Sequence, residues 1–266
     1  MHIQPIGIYF PQDETRQVIN PTRLELIPKH WRPLLGEVQQ QYRDRLGESL
    51  HSIWLRGSAA RGTAVDHLSD LDTFALVVGP DKIRWQSAPW EKEVAEKLGR
   101  RYPFVAQIEF QLNAYTENFA EAFPIIAMIL KTQSLHLWGA DFRNELPEYR
   151  PGSGMCFYYR WIAEDVAEFL QKTSTTVDAW RSLMKTFIRV GFELVMAREG
   201  RFTLDLYCGV EAFSRYYPEK SVEMQLALHY FVHPPEDFSR QSRFVEEFGS
   251  WLEREVKLCF MSARDS

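Results

Sequence analysis

The stretch Leu55–Val78, LRGSAARGTAVDHLSDLDTFALVV, contains the residues whose types and spacing best suit chemistry. Asp70 and Asp72 stand two apart at the start of an apolar run, and in a strand that spacing aims both side chains at one face. Carboxylates held so close repel and raise each other's pKa unless a cation lies between them. Hard oxygen donors at this spacing suit Mg²⁺, which takes carboxylates together with phosphate oxygens and water. Upstream, Gly57 lets the backbone approach a phosphate closely, and the Ser58 hydroxyl and nearby N–H groups can donate to its oxygens. A third acid is then expected on a neighbouring strand. Glu109 meets that need in FVAQIEFQL (104–112), where Ala106, Ile108, Phe110 and Leu112 alternate with Val105, Gln107, Glu109 and Gln111. The plainer alternatives are an Asp pair capping a turn and a Glu facing solvent. The start of a strand directly after Gly-Ser and a loop favours a site.

Several elements must position these groups. Helical spacing covers Pro33–Ser49 through Leu34, Leu35, Val38, Tyr42 and Leu46, followed by a short strand at Ser52–Leu55. A turn-rich loop leads to a strand at Asp72–Val78, closed by Gly79-Pro80; a helix near Trp90–Arg101 precedes the strand at 104–112. Strands alternating with helices predict an α/β sheet domain. The Pro-rich residues 1–30 read as an extended arm, and 139–154 has the Gly/Pro density of a linker. Beyond it the pattern is helical: Tyr158–Leu170, Ala179–Arg198, Val222–Phe231 and Phe244–Phe260. The second of these carries an apolar stripe of Trp180, Leu183, Met184, Phe187, Ile188, Gly191, Leu194 and Val195.

The 266 residues suffice for one large domain or two modest ones, and the net charge of −5 argues against a sequence-independent grip on nucleic acid. Cys156, Cys208 and Cys259 are widely spaced and odd in number, as reduced thiols of a cytoplasmic protein would be. The first residues lack the charged-then-apolar pattern of a secretory leader, and no run approaches a membrane span, so no membrane partner is expected. His229 and His233 share a helix face at i, i+4, but no third ligand accompanies them, and they read as a packed or surface pair. The aromatics of the helical half, Trp161, Trp180, Tyr216, Tyr217, Phe231 and Trp251, could line an acceptor pocket, but at helical spacing they read as core.

Gly57-Ser58 followed by Asp70-x-Asp72 resembles the signature of the DNA polymerase β-like nucleotidyltransferase superfamily, above all its aminoglycoside adenylyltransferase-like branch. LHLWGADFRNELP (135–147) resembles a segment that follows the transferase domain in that branch, and RFTLDLYCGVEAFSRYYPE (201–219) resembles the helical part of relatives. The likeness thus spans most of the chain. Its departure is the eleven residues between Ser58 and Asp70, slightly more than in streptomycin-type enzymes, which bears on the acceptor more than on the chemistry.

The resemblance and the element order together imply an α+β fold. A nucleotidyltransferase α/β domain with a mixed sheet (1–150) is expected to precede an all-α helical bundle (151–266). The resemblance further implies two Mg²⁺ ions held by Asp70, Asp72 and Glu109, with ATP as donor. AMP would pass to a hydroxyl of a small-molecule acceptor, aminoglycoside-like in type, with release of pyrophosphate. Glu109 would be either a metal ligand or the base. Cations facing the triphosphate are sought in Arg61, in Arg56, and in Lys185 and Arg189, which share one helix face four residues apart. Two competing readings keep the nucleotide: transfer to a protein or RNA acceptor, and a non-catalytic nucleotide-binding or antitoxin-like module. No basic tract supports RNA, and all three acids are present where a degenerate relative would have lost one.

Overall fold

A computed structural model describes residues 7–79, 85–171 and 176–261. The chain forms two compact units, one of Ile19–Tyr149 and one of Met1–Val18 with Arg150–Ser266.

The first unit is built on five strands: β1 (Leu50–Arg56), β2 (Leu71–Val77), β3 (Gln86–Ser87), β4 (Ile108–Ala114) and β5 (Leu135–Gly139), in the order β3-β4-β2-β1-β5. β1 runs antiparallel to β2 and β5, β3 antiparallel to β4, and β2 parallel to β4, so the sheet is mixed. Its helices are α1 (Arg32–Leu46), α2 (Gly57–Arg61), α3 (Glu91–Arg101), α4 (Phe119–Ala122) and α5 (Pro124–Gln133).

Alternation along the strands sorts the apolar residues into two layers. On one face Ile53, Leu55, Leu71, Ala75, Phe110 and Leu112 join Leu34, Leu35, Val38 and Tyr42 of α1 and Val94 and Leu98 of α3. On the other, Trp54, Phe74 and Leu76 join Phe119, Phe123, Ile126, Ala127 and Leu130 from α4, α5 and the junction between them. β1 and β2 are covered on both faces and buried along most of their length, as central strands are.

Three expectations are corrected here. The strand expected at 104–112 begins at Ile108, where pairing with β2 begins. Residues 104–107 instead hydrogen-bond to the loop ahead of β2 and to its first residue: His67 N–H donates to the Phe104 carbonyl at 2.6 Å, Ala106 N–H to the Ser69 carbonyl at 3.1 Å, and Leu71 N–H to the Gln107 carbonyl at 2.8 Å. The residues after Arg56, expected as loop, start with helix α2. The segment 1–30 is not one arm. Residues 7–18 belong with the helical unit, pinned by Phe10 N–H to the Phe202 carbonyl (2.8 Å) and Ile8 N–H to Asp205 Oδ2 (2.8 Å), although the expected boundary placed them with the sheet.

The second unit contains α6 (Ile162–Gln171), α7 (Val177–Glu199), α8 (Leu206–Tyr216), α9 (Ser221–Val232) and α10 (Ser242–Val256). The stripe on α7 is buried. Thr176 caps its start by accepting from Ala179 N–H at 3.2 Å, and Gly200 ends it in the left-handed conformation. Gly191 lies where a Cβ would run into Met224 of α9 and Phe213 of α8, so its bareness lets three helices meet. Among the described residues, no helix is long and apolar enough to cross a membrane.

Candidate active site

Three adjacent strands place Arg56, Asp72 and Glu109 in one row. Arg56 at the end of β1 is the cross-strand partner of Asp72 in β2, and Asp72 is in turn the partner of Glu109 in β4. By alternation these side chains share the sheet face of Trp54 and Phe74, one residue pair beyond the apolar layer. Asp70, one residue ahead of β2, has the same parity as Asp72.

Arg56 Nη2 lies 3.6 Å from Asp72 Oδ1 and 3.8 Å from Glu109 Oε2, with the three side chains 31%, 25% and 26% exposed. The same guanidinium stands 5.0 Å from the centre of the Trp85 ring. Burial first, then the Asp72 charge, hold the Glu109 carboxyl above the usual carboxylate range; Arg56 opposes this, while Asp70 and Glu91 add to it.

Buried polar contacts hold β4 at this point. The Tyr42 hydroxyl of α1, fully buried, lies 3.1 Å from the Thr73 hydroxyl, which donates to the Glu109 main-chain carbonyl at 2.6 Å. Burial drives the Tyr42 phenol far up, so it stays protonated and able to donate. From α3, the Glu91 carboxylate accepts from Phe110 N–H at 2.8 Å. Glu109 is therefore held through its own backbone and that of its neighbour.

Gly57 opens α2 with φ +79°, directly after β1. A Cβ there would collide with the Asp72 carboxylate, so a bare residue is needed for the acid as well as for any phosphate. Ser58 follows in α2, half-buried, its carbonyl accepting from Thr63 N–H at 2.9 Å, and Arg61 ends the helix.

Lys185 and Arg189 belong to α7 in the other unit. The Lys185 amine stands 5.9 Å from the centre of the Phe231 ring. Arg189 Nη1 donates to the Tyr158 hydroxyl at 2.5 Å, and the guanidinium stacks 4.5 Å over that ring, while its buried Nε makes no hydrogen bond. One turn on, the buried Glu193 carboxylate accepts from the N–H groups of Phe157, Tyr158 and Tyr159 at 2.7, 2.9 and 2.9 Å. Burial pushes Glu193 up to about 7 despite those donors.

The acids supply hard oxygen donors in one row, which is the kind of set Mg²⁺ takes. Among the described residues, however, no three His, Cys, Asp or Glu are gathered closely enough to hold a metal ion, the pair His229 and His233 included. Arg56 stands beside both Asp72 and Glu109. Local spacing makes Arg56 one of several candidate triphosphate cations; its place beside the acids follows from cross-strand register, for which spacing carries no signal.

No family model matches the sequence, and neither does any curated protein. Among solved structures, the fold is similar to that of spectinomycin adenyltransferase AAD(9) from Enterococcus faecialis, crystallised with ATP and spectinomycin. The TM-score is 0.53 at 14% identity, over 85% of this chain and 99% of that one. At that identity the likeness is one of fold, and in this chain that fold is an α+β architecture with a mixed five-stranded sheet and a helical C-terminal region.

Proposed function

We propose that this chain is a Mg²⁺-dependent nucleotidyltransferase that moves AMP from ATP to a hydroxyl of a small-molecule acceptor. The observation that carries this reading is the pairing of Asp72 with Glu109 on adjacent parallel strands, Asp70 two residues upstream. The fold is similar to that of a protein crystallised with a nucleotide and a hydroxylated small molecule, which supports both substrate classes.

In this reading the acceptor oxygen attacks the α-phosphorus in line. A new O–P bond forms, the bond to the bridging oxygen breaks, and pyrophosphate leaves with that electron pair. The hydroxyl proton passes to Glu109, whose raised proton affinity brings it nearer to what a base working at neutral pH needs. Asp70 and Asp72, flanked by Glu109, would hold Mg²⁺, which when bound supplies positive charge against the triphosphate and the departing pyrophosphate. Gly57 and Ser58 present backbone and hydroxyl donors to phosphate oxygens. Arg61, Lys185 and Arg189 are the cations assigned to the triphosphate. Catalysis is then mostly positioning and electrostatics, as in phosphoryl transfer generally.

The test is to incubate the full chain with Mg²⁺, ATP labelled at the α-phosphate, and a panel of aminoglycosides and aminocyclitols. Label is expected on at least one acceptor, with equimolar pyrophosphate, and Asp72→Asn is expected to abolish it. Absence of label from every acceptor would remove the small-molecule reading, and label on the protein itself or on added RNA would redirect it to a macromolecular acceptor.

A further inference from the structure

The row of acids contains its own positive charge. Arg56 is not a roaming surface side chain. Its backbone is paired to Asp72, and its Nη2 lies within 4 Å of one oxygen of each acid. Behind it stands Trp85, itself fixed on two sides. Trp85 N–H donates to Oδ1 of the fully buried Asn113 at 3.0 Å, and its ring lies 5.1 Å from the buried Phe74 ring. Trp85 also keeps φ at +30°, a conformation that a bulky residue adopts only where its surroundings impose it.

We infer that Arg56 is a resident counter-cation of Asp72 and Glu109 that competes with a divalent ion for Asp72. Mg²⁺ loading would then be coupled to nucleotide binding. The inference rests on the metal-dependent reading proposed above. Its logic is charge and geometry. A guanidinium and a divalent cation brought to the same Asp72 carboxylate repel each other well above thermal energy in a half-buried site, being like charges a few ångströms apart. The divalent ion must therefore displace Arg56 from that carboxylate. A triphosphate eases that exchange from both ends. It brings negative charge to the ion, and it offers the displaced guanidinium a phosphate to grip through two parallel N–H bonds. Trp85 biases the exchange the other way by stacking the guanidinium over the acids.

The experiment is a Mn²⁺ titration of the full chain followed by electron paramagnetic resonance, with and without a non-hydrolysable ATP analogue. Wild type is expected to bind Mn²⁺ weakly alone and more tightly with the analogue. Arg56→Met is expected to tighten binding without nucleotide by about tenfold or more and to shrink the analogue's effect. Arg56→Lys, which keeps the charge, is expected to stay weak, and adding Asp72→Asn to Arg56→Met should erase the gain. Unchanged affinity in Arg56→Met, with Asp72→Asn still weakening binding in the presence of the analogue, would overturn the counter-cation role and leave the metal-site reading intact. Absence of Mn²⁺ binding in every variant, analogue present, would overturn both. Should Arg56→Met fail to fold, Trp85→Leu gives a second reading: tightening of about threefold supports the inference and no change overturns it.

Discussion

The Thr73 hydroxyl donates across the β2–β4 seam to the main-chain carbonyl of Glu109 at 2.6 Å. The residue after one candidate acid thus holds the backbone of another, and the buried Tyr42 hydroxyl completes the link from α1. Site geometry and sheet stability share these groups. Thr73→Val keeps the β-branched shape but removes the donor to Glu109 and the partner of Tyr42. A loss of about 1–3 kcal/mol is expected, read as a lower urea midpoint at unchanged slope. Transfer activity measured well below the unfolding midpoint should fall as well, because Glu109 loses its anchor. An unchanged midpoint would mean that the linkage carries no net stability.

Glu109→Gln separates chemistry from stability. Removing a base is expected to lower the transfer rate by about 10²–10⁴-fold. Stability should move the other way with pH. Burial and then Asp72 hold the Glu109 carboxyl above its ordinary value, so the folded state grips the proton more tightly than the unfolded one. The favourable contribution is complete below the unfolded carboxylate value and is lost as pH rises through the raised folded value. At neutral pH and above, the Gln variant should therefore be at least as stable as wild type, with the gap closing in acid. Melting temperatures across pH 4–8 check this, and a variant less stable at pH 8 would show that Glu109 is held mainly by attraction to Arg56.

Gly57→Ala tests how closely α2 approaches Asp72. The new methyl group meets two obstacles, a left-handed backbone and the Asp72 carboxylate. The expected cost is about 1–3 kcal/mol, with activity lost more completely than stability because Asp72 is what must move. Wild-type turnover in Gly57→Ala would show that the acid's position is not critical.

Glu193 offers a second pH test, remote in sequence from the acids. Burial raises it to about 7 from the ordinary 4.5, so its charging opposes the folded state progressively between those values and fully above them. Glu193→Gln cannot ionise, and its stability profile over that window should be flatter than that of wild type. Separately, its NH₂ faces one of the three backbone donors that the carboxylate satisfies, a pH-independent cost of about 1–3 kcal/mol. Slope and offset are distinct in a melting series, and parallel profiles would exclude the titration.

The parts of this site legible in the sequence are those written locally. The Asp70-x-Asp72 spacing ahead of an apolar run, and the alternation around Glu109, depend on period-2 geometry within a few residues. α5 carries no helical period in the sequence, because PIIAMILKTQ is buried on nearly every side. Tyr42 reads as another core aromatic on the α1 stripe, and only the fold shows that its hydroxyl supports β4. Arg56 and Trp85 meet through pairings that join β1 to β2 and Trp85 to Asn113, contacts set by register rather than by spacing. The docking of residues 7–18 spans nearly two hundred residues of chain, beyond any local pattern.

Removing the two cations of α7 one at a time, with melting temperature and ATP binding read together, tests their assignment to the triphosphate. Arg189 is tied to Tyr158 by a hydrogen bond and by stacking, next to the buried Glu193 charge, so Arg189→Ala removes packing and a counter-charge together. It should lower the melting temperature as well as weaken ATP binding. Lys185 stands 5.9 Å from the Phe231 ring, and Lys185→Ala is read on melting temperature and ATP binding together, so that loss of fold is separated from loss of a phosphate contact. If its ammonium meets the β- and γ-phosphates, the KM for ATP should rise about tenfold while the KM for the acceptor stays put, since one charged hydrogen bond is worth roughly 1.5–3 kcal/mol. An unchanged KM for ATP in Lys185→Ala, together with a loss in Arg189→Ala that tracks its melting temperature alone, would confine both residues to building the helical unit.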